Sequence, residues 1–280
     1  QAANTDQSHK GFNQPLHKAL QFVRQADPTQ KPHAEQAASY HPQIEQCASC
    51  HSRRARISDD ADIKSLYDNF MPSLIDSSLY HVDGQIKDEV FEFGSFMQSK
   101  MAHAGVTCSN CHNPHSAKLK IEGNGLCLQC HADDYNTPKH TLHPLGSAGS
   151  QCIDCHMPVT TYMQIDDRRD HSFRIPRPDL SDKLGTPNAC QQCHTEDNQT
   201  ITQWQQQHWG KNWQQPHYGE VFWRAERGYR DSVKPLMDLV TSESTPLMVR
   251  AQALSLLNGL QPHGEINAEV AAGDNPLMQL

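Results

Sequence analysis

Three things are scarce in this chain. No run of apolar residues is long enough to cross a bilayer as a helix. Its 280 residues carry 32 acidic against 24 basic side chains, a formal charge of −8. That leaves no basic surplus with which to hold nucleic acid. Only 36 % of the residues are hydrophobic and the mean hydropathy is −0.73, which is poor material for a conventional core of this length. Cysteine is also absent outside one pattern. All 10 cysteines fall into five copies of Cys-x-x-Cys-His, so no thiol is left over for a disulfide scaffold.

The five copies are Cys47-Ala-Ser-Cys50-His51, Cys108-Ser-Asn-Cys111-His112, Cys127-Leu-Gln-Cys130-His131, Cys152-Ile-Asp-Cys155-His156 and Cys190-Gln-Gln-Cys193-His194. This pentapeptide is the attachment site of a c-type haem. Its two thiols form thioethers with the porphyrin, and the adjacent imidazole binds the iron from one face. Structural zinc also uses paired cysteines, but its four-ligand sites do not need a histidine after every second one. Thioredoxin-like pairs occur singly beside a strand–helix unit, and no such unit surrounds these. Five covalently attached haems c are therefore expected. Their apolar plates make good the shortage of aliphatic core, so the chain should wrap around them with limited regular structure. Two propionates per haem deepen the negative charge. Basic redox partner proteins or extracellular electron acceptors suit it, and nucleic acid and a membrane span do not.

The expected fold is mainly α with extensive loops, a multihaem cytochrome c wrapped around five haems with a helical-repeat segment at its carboxy end. Residues 1–199 form the pentahaem domain, of which 1–46 is an arm without a haem motif but with His9, His17, His33 and His41. The pattern of Leu16, Leu20 and Val23 predicts a weak amphipathic helix from Pro15 to Gln25. Two more are predicted, from Asp60 to Leu79 with an interruption at Met71-Pro72, and from Ile86 to Ala104, stopped by Gly105. The second carries a stripe of Val90, Phe93, Met97 and Met101, most simply a packing face. Residues 200–280 hold all four tryptophans and no cysteine. Helices are predicted there at Tyr229–Thr241 and Pro246–Gly259, with a new start near Ala268, as in a helical repeat array. The chain opens with Gln-Ala-Ala-Asn. Because haem is attached outside the cytoplasm, this reads as the mature product of secretion, in the periplasm, at the cell surface or outside the cell.

Removing the five motif histidines from 18 leaves 13, more than enough to give every iron a second imidazole. The candidates for that second position are His115, just after a proline turn; His140 and His143, between the third and fourth motifs; His171, between the fourth and fifth; and His81, at a predicted helix end. His103, His17 and His41 stand in reserve. His9 is placed to reach an iron in another copy of the chain, which would join copies into a conductive filament. Arg53, Arg54, Arg56, Arg168, Arg169, Arg174 and Arg177 lie near the motifs and suit either haem propionates or solvent.

From His81 to His194 the chain resembles a bacterial family of multihaem cytochromes c with paired CxxCH motifs, followed by helical repeats of the HEAT or TPR kind. The likeness rests on Asp83-Gly84-Gln85-Ile86, Gly105-Val106-Thr107-Cys108, Asn113-Pro114-His115-Ser116, Cys155-His156-Met157-Pro158, Arg169-Asp170-His171-Ser172-Phe173 and Leu184-Gly185-Thr186-Pro187-Asn188-Ala189-Cys190. It implies a periplasmic or surface redox protein, related in design to octahaem and nitrite-handling cytochromes. Larger members carry further motifs upstream, and this chain has none before Cys47. Two functions are consistent with this. One is an electron carrier with irons saturated by histidine. The other is a reductase or oxidase of small nitrogen or sulfur oxyanions, which needs one open iron. Pentahaem ammonia-forming nitrite reductases use lysine in place of the motif histidine at the active haem, whereas all five motifs here end in histidine.

Overall fold

The computed structural model describes residues 19–23, 33–34, 42–58 and 65–260. Among the described residues short helices joined by loops dominate, with three two-stranded antiparallel ribbons: Phe22–Val23 with His33–Ala34, Arg54–Arg56 with Phe70–Pro72, and Val159–Tyr162 with Asp166–Arg169. The mainly α architecture with extensive loops is as the sequence implies.

Apart from Ala132, Leu180 and Ile201, the buried aliphatic and aromatic residues among those described fall into one cluster with a telling gap. Its members come from Ile44 and Ala48, from the stretch Leu66–Ala102, from Tyr162, and from Phe222 to Leu257. Between Thr107 and Thr161 the only buried hydrophobic residue is Ala132. That is the stretch holding three of the five motifs. A chain with no apolar core of its own there needs something else to fold against.

The helices start and stop where side chains satisfy their ends. Ser65 and Asp68 form a reciprocal capping box on the single turn Leu66–Asn69. Phe70–Pro72 then turns into a strand, so the helix predicted from Asp60 to Leu79 breaks where Pro72 removes a donor, as expected, and only that one turn of residues 65–79 is helical; residues 59–64 lie outside the described residues. Ser99 accepts from Ala102 N and starts a new helix, Lys100–His103, after Phe91–Phe96. The predicted long helix from Ile86 is therefore two short ones, with Gly105 ending the second at φ +87°. Val90, Phe93 and Met97 are buried, as a packing stripe should be. The predicted helix at Pro15–Gln25 is not found at Phe22–Val23, which pairs as a strand; the rest of that segment, apart from residues 19–21, lies outside the described residues.

Toward the carboxy end come helices Asn198–Trp209, Tyr218–Glu226, Val233–Thr241 and Leu247–Leu260; the first packs on Pro178–Leu184, and the other three stack on one another. The last two match the predicted pair within a few residues at either end; the first two were not predicted. Phe222, Leu236, Met248, Val249 and Ala253 sit at or below 1 % exposure and form the centre of this packing. Tyr218 anchors the stack to the rest of the chain, its hydroxyl donating to the Asp83 carbonyl at 2.7 Å. The predicted start near Ala268 lies outside the described residues.

Candidate functional site

Each motif is one tight turn. His112 N donates to Cys108 O at 2.9 Å, His131 N to Cys127 O at 3.0 Å and His194 N to Cys190 O at 2.9 Å. Cys47–His51 closes the helix Pro42–His51, and Cys152–His156 is a five-residue helix. A single turn puts residues i, i+3 and i+4 on one face, so both thiols and the imidazole converge.

Histidines from distant loops face three of these turns. The ring centres of His140 and His156 are 6.2 Å apart with planes 8° from parallel. His112 and His171 stand at 6.4 Å and 31°, and His143 and His194 at 5.9 Å and 56°. With about 2 Å for each metal–nitrogen bond and about 1.1 Å from ring nitrogen to ring centre, two imidazoles sharing one metal stand about 6.2 Å apart. All three pairs match that span, so these residues fit a six-coordinate haem iron.

The other ring nitrogen is held as a ligand's should be. His156 Nδ1 donates to Arg174 O at 2.6 Å, His143 Nδ1 to Thr141 O at 2.6 Å, His171 Nδ1 to Arg169 O at 2.9 Å and His112 Nδ1 to Ala117 O at 3.4 Å. A carbonyl can only accept, which fixes the proton on Nδ1 and leaves the Nε2 lone pair free. Burial also pushes His131, His140, His156 and His171 below the ordinary histidine pKa, toward the neutral form that binds metal. Among the described residues, no three or more His, Cys, Asp or Glu side chains converge as a protein-only zinc site requires.

The thiols link the motifs in chain order. Cys47 lies within hydrogen-bonding reach of Cys108; the contact draws Cys47 down to about 7 and drives Cys108 up. Cys127 and Cys152 form a second such pair, with Cys152 at about 7. Cys111 feels the charge of Cys130, and Cys155 that of Cys190 and Cys193. First to second, second to third, third to fourth and fourth to fifth, every motif touches or neighbours the next.

The cytochrome c552 family matches residues 126–220, and the doubled CXXCH motif family matches residues 101–136. Together the two matches span residues 101–220, and over that stretch the chain is similar to multihaem cytochromes c. No curated protein matches it. Among solved structures it is similar to the crystal structure of the outer cell wall cytochrome OcwA, at 18 % identity and a TM-score of 0.45. That likeness covers 86 % of this chain and 64 % of the other, so the chain spans less than two thirds of that protein's length. No helix among the described residues is long and apolar enough to cross a membrane.

The remaining candidate ligands stand apart. His81 is half-buried in the loop before Asp83, and burial lowers its pKa. His115 is exposed, with its backbone amide donating to Asn113 Oδ1. Among the described residues no second imidazole faces either of them, nor His51 or His131, at the spacing of the three pairs. His9, His17 and His41 lie outside the described residues, and of His33 only the backbone is described.

Several residues around the ligands carry no local signal. Trp204 presents an edge contact to His194 at 5.8 Å, Trp209 lies 6.3 Å from His140, and Tyr135 packs edge-on against both His131 and His140. Their only hint was the concentration of tryptophan after residue 200. Four of the arginines near the motifs meet carboxylates: Arg168 meets Glu89 and Asp166, Arg169 meets Asp154, Arg174 meets Asp170, and Arg177 meets Asp179.

Proposed function

We propose that this multihaem cytochrome is a pentahaem electron carrier. Cys47 and Cys50, Cys108 and Cys111, Cys127 and Cys130, Cys152 and Cys155, and Cys190 and Cys193 each hold one haem c. His51, His112, His131, His156 and His194 bind the irons from one side, and His171, His140 and His143 cap the second, fourth and fifth. Bound haem supplies reversible one-electron chemistry. The protein's own part would be to saturate the irons with neutral imidazole, exclude substrate, and hold neighbouring attachment sites close together. The observation that carries this reading is the three histidine pairs at one metal-sharing distance. The succession of thiol contacts supports a path running in sequence order, with the first and fifth haems at its ends.

Intact mass and optical spectra of the purified protein test it. Five tetrapyrroles per chain with low-spin spectra support it, and a chain without added tetrapyrrole refutes it. Covalent haem attachment supports a periplasmic or extracellular location, with redox proteins or extracellular acceptors as partners. His81 and His115 remain available as further ligands. The amino-terminal histidines could cap the first and third haems, in the same chain or in the next copy of a conductive filament. A strictly monomeric species at micromolar concentration in scattering or cryo-EM would end the filament reading.

A second reading, a reductase of small nitrogen or sulfur oxyanions, is favoured by one observation: neither His51 nor His131 faces another imidazole among the described residues. A spectral change on adding cyanide or nitrite would support it, and none would exclude it.

A further inference from the structure

One motif histidine has a different kind of partner. His112 and His156 turn Nδ1 to neutral backbone carbonyls, but His51 turns it to the carboxylate of Glu92 at 3.1 Å, 41 positions away. The nearest comparable case is His194, whose Nδ1 stands 3.6 Å from Glu196, beyond hydrogen-bonding distance.

The backbone that delivers Glu92 is tied to the residues just after the first motif. Arg53 N donates to Val90 O at 3.2 Å, and Arg53 Nη1 donates to Glu89 O at 3.2 Å. Between them and the carboxylate stands Phe91 at φ +58°, a conformation that bulky side chains adopt only when the surroundings force it. The Arg168 guanidinium lies 5.2 Å over the Phe91 ring and pairs with Glu89 at 3.0 Å, clamping the turn from the other side. Strain of this kind persists where a side chain must be aimed, and here it aims Glu92 at His51. Glu92 also acts electrostatically on His171, the residue facing the second motif, so it sits at the junction of the first two sites.

We propose that Glu92 is a positioning residue that lowers the reduction potential of the haem held by His51. The inference rests on the pentahaem reading. A carboxylate accepting the Nδ1 proton makes imidazole a stronger donor and adds negative charge beside the iron, and both favour the ferric state. An electron at this end of the chain is then released more readily than a carbonyl partner would allow.

Spectroelectrochemical titration of the intact holoprotein tests this. Glu92→Gln should move one midpoint potential upward most, a second, that of the neighbouring haem facing His171, by less, and leave the other three, the haem count by mass and the low-spin spectrum unchanged. Glu92→Asp, which keeps the charge but withdraws it, should fall between the two. Glu243→Gln removes the same charge from an exposed loop and should move none. Unmoved potentials in a fully loaded Glu92→Gln protein would overturn the proposal and make Glu92 an ordinary surface carboxylate. A uniform shift of all five, matched by Glu243→Gln, would overturn it equally. Fewer than five haems in the unaltered protein would instead defeat the pentahaem reading.

Discussion

The pair His140 and His156 offers the sharpest test of ligation. Their rings are the most nearly parallel of the three pairs, and 6.2 Å between centres leaves room for one metal and two bonds of about 2 Å. In His140→Ala the methyl group cannot reach the iron, and no other imidazole is placed to do so among the described residues. On the pentahaem reading, one coordination position then opens on one haem of five. The ferrous variant should therefore bind one more carbon monoxide per chain than the parent, a fifth of the haem iron, with a matching high-spin fraction in the ferric spectrum. The side chain also packs on Tyr135 at 5.1 Å and Trp209 at 6.3 Å, so losing these ring contacts should cost about 0.5–1.5 kcal/mol each in unfolding free energy. His208→Ala is the control: it is exposed on helix Asn198–Trp209 and is none of the candidate ligands, so its carbon monoxide uptake should equal the parent's. Unchanged uptake in His140→Ala, with all five haems attached, would refute the pairing and with it the distance argument behind all three pairs.

Three further outcomes are expected. Gly149 has φ +81°, and a Cβ there would come within 2.8 Å of the His143 ring, so Gly149→Ala should open the haem facing His194 to carbon monoxide and cost about 1–3 kcal/mol in a denaturant titration. Leu236 is fully buried among the carboxy-terminal helices, and Leu236→Ala should lower unfolding free energy by about 2–5 kcal/mol by circular dichroism while leaving the haem spectrum as it was. His217 accepts from Gly219 N as a helix cap, and burial depresses it from 6.5 to about 4. The unfolded chain therefore takes up a proton there first, so stability falls as pH drops from about 6.5 toward about 4. His217→Asn keeps a capping oxygen without the titration, so the stability–pH curve over that window should become flatter; an unchanged slope would show that His217 is not the group responsible.

The sequence determined everything that one helical turn can hold. Five residues place two thiols and an imidazole together whatever the rest of the chain does, so Cys47–His51 and its four repeats were legible at once. The helices Val233–Thr241 and Leu247–Leu260 were also legible, because their apolar periodicity is local. The helix expected after Met71-Pro72 and the single helix expected from Ile86 were not found among the described residues, since the strand Phe70–Pro72 and the cap at Ser99 reset the backbone within a few residues and tertiary packing took over. Tertiary structure alone decided which distant imidazole faces which motif. His115 looked the best candidate by position, yet it is His171 that faces His112, while His115 faces solvent. It also brought Glu92 to His51 and set the thiols in order. A pairing between loops depends on how the intervening chain closes, and no spacing in the sequence records that closure.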